Sequence, residues 1–304
     1  ENANIDGDTA MGTMLKYGSE GAKYYVDNYV LPKEMAKAHI GGDIHIHDKD
    51  FYMLTETCCQ IDLIKLFKDG FCTGHGYLRA PQSIMSYASL ACIAIQANQN
   101  EMHGGQSVPN FDYSMAPGVA KTYVKEYYDA LAQSLAVRLG IGYADACAIA
   151  KNIKKELPAP TLSNADAFEA ELCKWFTQAD DKFGLDGKVL VAAHKNAAET
   201  ALASTDKATF QAMEALVHNL NTMNSRAGAQ VPFSSVNYGT DTSPEGRMVM
   251  KNLLLATDNG LGNGETPIFP VQIFKVKEGI NYNPEDPNYD LFRLAIKTSA
   301  KRLF

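Results

Sequence analysis

The sequence lacks the paired cysteines that cross-link small secreted domains or bind structural zinc. Its 304 residues include six cysteines, and no two of these are spaced as Cys-x-x-Cys. They are Cys58, Cys59, Cys72, Cys92, Cys147 and Cys173. Because disulfide frameworks and zinc sites usually show such pairs, this usage indicates a reduced, cytoplasmic protein.

Long hydrophobic runs and clustered positive charge are missing as well. The longest apolar run, around residues 88–97, is too short to cross a bilayer, and the amino-terminal residues show no signal-peptide pattern. The formal net charge is -7, and no basic stripe offsets it. We therefore expect neither a membrane nor nucleic acid as a partner, and we expect any bound nucleotide to be a small one.

The chain has enough apolar residues for a large core. They make up 46% of the sequence, and no internal repeat, low-complexity tract or linker divides it. We interpret residues 1–304 as one continuous domain of barrel type. The chain begins with Glu1 rather than Met, and its last predicted helix reaches Phe304 without a stop signal, so we expect a segment of a longer polypeptide.

Hydrophobic periodicity predicts a mainly helical middle, followed by alternating strands and helices. Helical spacing predicts two helices over residues 9–38, broken near Pro32. It predicts further helices over 83–99, with Ser83 as the N-cap, and over 119–138, 143–156, 166–183, 192–219, 245–259 and 287–302. β-forming residues predict extended segments over 43–63, 108–112, 231–238 and 268–277. This pattern is typical of an α/β fold.

Two histidines in residues 45–50 form the first candidate site. In an extended strand His45 and His47 point to the same face, so with Asp48 or Asp50 they can ligate a metal, as in a metallohydrolase. The alternative is a pair of histidines that hydrogen-bond to carboxylates or to a polar ligand at a strand end. Spacing alone leaves both interpretations open.

The adjacent thiols of Cys58 and Cys59 form the second candidate. Neighbouring residues of a regular strand face opposite ways, so at most one of these cysteines lines a given cavity. The alternative is a pair of buried structural thiols, since free cysteine is among the most buried residue types.

A glycine pair and a polar segment complete the candidates. Gly104 and Gly105 let backbone amides approach an anion, and Gln106 and Ser107 add donors that suit phosphate, although most two-glycine turns only reverse the chain. Residues 222–236 either face a polar ligand or form a solvated loop. The polar residues in this segment are Asn224, Ser225, Arg226, Gln230, Ser234 and Ser235.

Six long strings at consistent intervals resemble the anaerobic, class III ribonucleotide reductases, and the likeness extends over almost the whole chain. The strings are Gly42-Asp43-Ile44-His45-Ile46-His47-Asp48, Thr57-Cys58-Cys59-Gln60-Ile61-Asp62-Leu63, Thr73-Gly74-His75-Gly76, His103-Gly104-Gly105-Gln106-Ser107, Arg226-Ala227-Gly228-Ala229-Gln230-Val231-Pro232-Phe233 and Gly262-Asn263-Gly264-Glu265-Thr266-Pro267.

The resemblance implies a ten-stranded α/β barrel made of two five-stranded halves, of which this chain holds mainly the first. It places the regulatory ATP-cone before Glu1. It places the loop with the thiyl-radical cysteine, the cysteine-bound zinc and the glycyl-radical loop after Phe304. We therefore expect no metal ligands within residues 1–304.

The resemblance also implies a mechanism. A separate radical S-adenosylmethionine iron–sulfur activase generates the glycyl radical, and a thiyl radical then removes the ribose 3′ hydrogen inside a closed barrel. The 2′ hydroxyl leaves as water, with a second cysteine delivering reducing equivalents and formate as the final reductant. Cys58 matches that second cysteine, since its four-residue interval to Asp62 fits the family pattern better than that of Cys59.

Substrate and effector sites follow from the same resemblance. The ribonucleoside triphosphate is expected near His45, His47, Gly104, Gly105, Gln106 and Ser107. ATP and deoxynucleoside triphosphate effectors are expected at a homodimer interface beside the helix over 83–99, at Arg79, Gln82 and Lys125. Other members carry an acidic residue and a lysine where Arg79 and Gln82 stand.

Two further functions, besides the metallohydrolase, compete with the reductase. A sister glycyl-radical enzyme of the pyruvate formate-lyase type also uses adjacent cysteines and acts on a carbon–carbon bond. A deoxynucleotide-sensing dimerisation module would bind effectors without chemistry of its own.

Overall fold

A computed structural model describes residues 7–52, 57–183 and 186–303 of the chain, beginning with a helical hairpin. Helix α1 (Ala10–Tyr25) starts where the Thr9 hydroxyl accepts the Gly12 N–H at 3.0 Å, and it continues into a wider π-helical turn over Val26–Val30. Helix α2 (Lys33–Gly41) follows Pro32, which confirms the predicted break. It ends at Gly42, whose φ of 85° suits only glycine well.

The remaining helices enclose a small parallel sheet. They are α3 (Leu63–Asp69), α4 (Ile84–Glu101), α5 (Phe111–Leu139), α6 (Tyr143–Glu156), α7 (Ala165–Phe183), α8 (Gly187–Thr222), α9 (Pro244–Asn259) and α10 (Tyr289–Arg302). Short 3-10 turns cover Lys49–Phe51 and Leu162–Asn164. The strands are β1 (Thr57–Gln60), β2 (Phe71–Cys72), β3 (Tyr77–Leu78), β4 (His103–Val108), β5 (Ser234–Tyr238) and β6 (Val271–Phe274).

Four of these strands pair in the order β1-β4-β5-β6, and every pairing is parallel. Parallel neighbours need crossover connections, which α4, the long α5–α8 excursion and α9 supply. Strands β2 and β3 form a separate antiparallel hairpin. The α/β prediction is therefore confirmed as a mixed fold with a parallel sheet.

Two of the predicted extended segments are largely wrong. Within the described part of 43–63, only Thr57–Gln60 is a strand, because Asp48 adopts a left-handed conformation at φ 49° and Asp62 caps α3 by accepting the Lys65 N–H at 3.1 Å. Residues 53–56 of that segment lie outside the described residues. A strand is also predicted over 108–112, but β4 ends at Val108 and α5 already begins at Phe111.

The core has two parts that share the long helices α5 and α8. One part packs α4, α5, α8 and α9 around the sheet, with Ile84, Phe111 and Val236 fully buried. The other is purely helical and joins α5 and α8 to α6 and α7. In the described part of the chain, no helix combines the length and apolar character needed to cross a bilayer.

A buried carboxylate ties the end of β5 to the start of α5. Asp112 Oδ2 accepts the backbone N–H groups of Gly239, Thr240 and Asp241 at 2.9, 3.0 and 3.0 Å. Three convergent amides form a compact anion-binding turn, and here the anion belongs to the protein itself. This contact holds the carboxyl end of β5 in place.

The helical part of the core contains a buried histidine, and it makes stability depend on pH. His194 on α8 lies with Nδ1 2.9 Å from the Tyr127 hydroxyl, and burial lowers the pKa of His194 below 6.5 despite the nearby charge of Glu169. As pH falls below about 6.5 the unfolded chain takes up a proton that the folded chain resists, so we expect the free energy of unfolding to fall.

Urea denaturation of the wild-type protein and of His194→Gln at pH 7.5 and 5.5 measures this effect. We expect a smaller loss between the two pH values in His194→Gln than in the wild type. His75→Gln, at an exposed position on the β2–β3 connection, is the matched control and should keep the wild-type loss. An equal loss in wild type and His194→Gln would contradict the assignment.

Candidate active site

The site forms at the amino-terminal edge of the parallel sheet, where β1 and β4 begin side by side. Thr57 pairs with His103 and Cys59 pairs with Gln106, so the single residue Cys58 stands opposite two glycines. Such a bulge bends the strand pair and redirects side chains. Cys58 itself has a φ of 58°, an uncommon value for a residue with a Cβ.

Backbone geometry places the Cys58 sulfur directly against the glycine pair. Cys58 is exposed, and its Sγ accepts the Gly105 N–H at 3.3 Å. A Cβ on Gly104, which has a φ of 90°, would lie 2.9 Å from this sulfur, so the close approach requires glycine. The glycine pair therefore lies in strand β4 and contacts the Cys58 thiol. The interpretation of this pair as a turn is wrong.

Cys59 occupies a different environment. Its thiol is partly buried against α4, where Asn98 Nδ2 lies 2.8 Å and Gln106 Oε1 3.0 Å from Sγ. Burial raises the pKa of Cys59, so the thiol stays protonated and donates to Gln106. Only Cys58 of the two is exposed, and the bulge at Cys58, rather than the alternation of a regular strand, separates the two side chains.

The histidine segment is a turn rather than a strand, yet it still brings its rings together. His45 Nε2 lies 3.5 Å from His47 Nδ1, and His47 Nε2 lies 3.1 Å from Asp48 Oδ2. The same Asp48 oxygen lies 2.7 Å from Nε2 of His103, the first residue of β4. Asp48 thus links the two exposed histidines to β4, the strand whose Gly105 N–H donates to the Cys58 sulfur.

Three further contacts anchor this turn. The His103 ring stacks on Phe51 at 4.0 Å between centroids, and buried Lys49 pairs with Asp27 at 2.6 Å. Asp50 accepts the Ser19 hydroxyl at 2.5 Å, so it is bound to α1. Across residues 7–52, 57–183 and 186–303, no group of three or more His, Cys, Asp or Glu side chains is arranged to hold a metal ion.

The aromatic ring of Phe233 lies beside the glycine pair, and the sequence analysis did not propose this residue as part of a site. Phe233 immediately precedes β5, and its ring lies 3.5 Å from the position that a Cβ on Gly105 would occupy. The ring packs edge-on against Phe269 at 5.1 Å and stays 45% exposed. An exposed aromatic beside a thiol provides an apolar surface for a ligand.

The polar segment 222–236 is partly a closed loop. The Ser225 N–H donates to the Gln230 carbonyl at 2.7 Å, and Ser225, Gln230 and Ser234 are buried. The solvated-loop alternative is therefore wrong for these three residues. Burial lowers the pKa of Arg226 in the same loop.

Two of the three residues expected to bind effectors lie in the loop before α4, and the third lies on α5. Arg79 and Gln82 are exposed in the loop before the helix, which Ser83 caps as predicted. Lys125 on α5 lies 3.4 Å from Glu126 and 3.6 Å from Asp129. Lys121, one helical turn earlier, donates to the Pro81 carbonyl at 2.8 Å and is the lysine that contacts this loop.

Comparison with known proteins gives consistent matches. The anaerobic ribonucleoside-triphosphate reductases of Salmonella typhimurium and of Enterobacteria phage T4 are 25% and 28% identical over 307 and 308 residues. The alignments cover 100% of this chain but only 35% and 41% of those proteins. The chain thus spans little more than a third of these relatives.

A solved structure shares the fold. The anaerobic ribonucleotide reductase from Thermotoga maritima, with dATP bound in the specificity site, superposes with a TM-score of 0.50 at 12% identity and covers 96% of this chain and 41% of that one. The family model described as anaerobic ribonucleoside-triphosphate reductase matches residues 1–304. This match confirms the resemblance carried by the six strings, and the protein belongs to the anaerobic ribonucleoside-triphosphate reductase family.

Proposed function

We propose that this chain is part of an enzyme that reduces ribonucleoside triphosphates to deoxyribonucleoside triphosphates under anaerobic conditions. The observation that carries the proposal is the Cys58 thiol, exposed on a strand and held by the Gly105 N–H, in a chain that matches the family throughout. In this role Cys58 delivers reducing equivalents to the ribose. Its exposure leaves the sulfur accessible to a substrate.

For the substrate, the proposed contacts surround this thiol. The exposed rings of His45 and His47 are linked through Asp48 and His103 to β4, so the histidines and the glycine pair belong to one polar surface. Gly104, Gly105, Gln106 and Ser107 would act mainly through their backbone. The Gln106 side chain is fully buried and already bonded within the protein.

For the whole protein we propose the ten-stranded barrel of the family, with residues 1–304 forming mainly its first half. Within the described residues, strand β6 lies at one edge of the sheet and pairs on one side with β5, so its other backbone edge can accept a further strand. The ATP-cone would precede this region, and the thiyl-radical loop, zinc site and glycyl radical would follow it. The glycyl radical, made by the radical S-adenosylmethionine activase, would supply the radical to the thiyl-radical cysteine, which would remove the ribose 3′ hydrogen, and formate would supply the final electrons.

Regulation by ATP and deoxynucleoside triphosphates is proposed at a homodimer interface beside α4. The Thermotoga maritima relative was solved with dATP bound in the specificity site. Arg79 and Gln82 are exposed there, whereas the ammonium group of Lys125 forms ion pairs with Glu126 and Asp129. The six free thiols fit a reducing cytoplasm.

Anaerobic calorimetry with CTP, ATP, dATP and dGTP, with the oligomeric state followed by light scattering, tests this proposal on the full-length protein. We expect saturable dATP and dGTP binding linked to dimer formation, and deoxycytidine triphosphate formation from CTP after activation with formate present.

Three outcomes would contradict the proposal. Acyl transfer without nucleotide binding would support the pyruvate formate-lyase type. Effector binding and dimerisation without any product would support a sensing module. Stoichiometric zinc lost on His45→Ala would support a metallohydrolase, which needs more ligands than His45 and His47 supply here.

A further inference from the structure

We propose that Gln106 is a positioning residue for Cys58: its buried carboxamide, together with that of Gln99, fixes the Gly104–Gly105 peptide so that the Gly105 N–H faces the Cys58 sulfur. The consequence for catalysis rests on the proposed function. The positioning itself does not, and it can be measured without turnover.

The first step of the argument concerns the Gly104 carbonyl. This oxygen lies 3.3 Å from Gln106 Nε2 and 3.4 Å from Gln99 Nε2, so two side-chain amides donate to it. The Gly104 carbonyl and the Gly105 N–H belong to one planar trans peptide and point in opposite directions. Holding the oxygen on the α4 side therefore aims the N–H at Cys58, whose Sγ accepts it at 3.3 Å.

Gly104 and Gly105 need such restraint. Two glycines in sequence have the greatest backbone freedom, and ordering them costs more conformational entropy than ordering other residues. Neither glycine has a side chain that could pack to fix the peptide. The amides of Gln99 and Gln106 supply the restraint from outside the segment.

The second step concerns the orientation of the Gln106 amide. Its Oε1 accepts the Cys59 thiol at 3.0 Å and also contacts Asn98 Nδ2, which itself lies 2.8 Å from the Cys59 sulfur. The protonated Cys59 thiol and Asn98 thus face the oxygen, which leaves the nitrogen for Gly104. Gln106 is fully buried, so its side chain is not free to bind a substrate.

The third step is the effect on the sulfur. A backbone N–H that donates to sulfur holds the side chain in one orientation, and for Cys58 that orientation is exposed. Loss of either glutamine amide should loosen the Gly104–Gly105 peptide and weaken this contact. The result is a less reactive and less well-oriented Cys58, and the effect acts through the peptide, because the buried Gln106 side chain is not available to the substrate.

Iodoacetamide alkylation of Cys58, measured by mass spectrometry relative to Cys72 in the full-length protein, tests the proposal. Cys72 is an ideal internal reference because it is exposed and also accepts a backbone N–H, from Gly74 at 3.4 Å, but lies on the separate hairpin. Gln106→Met and Gln99→Met keep the side-chain length and remove the amide. Each should lower the Cys58 to Cys72 rate ratio about threefold to tenfold.

Gln96→Met is the matched control, since Gln96 lies on the same helix as Gln99 and its Nε2 has no hydrogen-bond partner among the described residues. It should keep the parent ratio. An unchanged ratio in both test variants would overturn the proposal, and Gln99→Met decides alone if Gln106→Met does not fold.

Turnover separates positioning from substrate binding. In the activated enzyme, Gln106→Met should lower kcat by a larger factor than it raises KM for CTP. A raised KM with an unchanged alkylation ratio would make Gln106 a substrate ligand and overturn the proposal. Absence of reductase activity in the parent protein would refute the proposed function, while the alkylation ratios would still decide the positioning role.

Discussion

Cys58→Ser should abolish deoxynucleotide formation by the full-length, activated enzyme. The substitution replaces the sulfur at the glycine pair by oxygen, and a hydroxyl neither gives up its hydrogen atom as readily as a thiol nor forms a disulfide. We expect product formation to fall at least about 10³-fold, since the group is assigned to the chemical step itself. The measurement is anaerobic conversion of CTP to its deoxynucleotide, quantified by chromatography.

Cys72→Ser is the matched control for this experiment. Its thiol is also exposed and also accepts a backbone N–H, but it lies on the β2–β3 hairpin. We expect full turnover from this variant. Substrate and effector binding should persist in Cys58→Ser, because the hydroxyl fits the same space. Substantial turnover by Cys58→Ser would remove Cys58 from the mechanism and direct attention to another thiol.

The largest effect on stability is expected for Asp112→Ala. The carboxylate is fully buried and accepts three backbone N–H groups, from Gly239, Thr240 and Asp241. Removing it leaves three donors, two of them buried, without this acceptor and opens a cavity between β5 and α5. We expect the free energy of unfolding to fall by about 3 to 5 kcal/mol, measured by urea denaturation and far-UV circular dichroism.

Asp129→Ala offers a control on the same helix. Asp129 is exposed and forms a 3.6 Å ion pair with Lys125, so its loss should cost less than about 1 kcal/mol. Asp112→Asn should fall between the two variants, because one amide oxygen remains to accept part of the set. A similar midpoint for Asp112→Ala and Asp129→Ala would show that the buried turn contributes little.

The sequence by itself determined the local structure and the family. Helical periodicity predicted the helix over 143–156 with the bounds that the structure shows, and Ser83 was correctly predicted as a helix cap. Each of these features depends on residues a few positions apart, which the 3.6-residue period and capping chemistry encode directly. The six strings identified the family because each is long and ordered.

Only the tertiary structure decided how the candidate residues meet. The bulge that sets Cys58 against Gly104 and Gly105 joins strands 47 positions apart, and Asp112 reaches amides 127 or more positions away. No local period encodes such contacts, since they arise when the helices bury their apolar faces and bring distant backbone together. For the same physical reason, packing against α4 turned the Gln106 side chain inward, although its polarity had suggested a ligand.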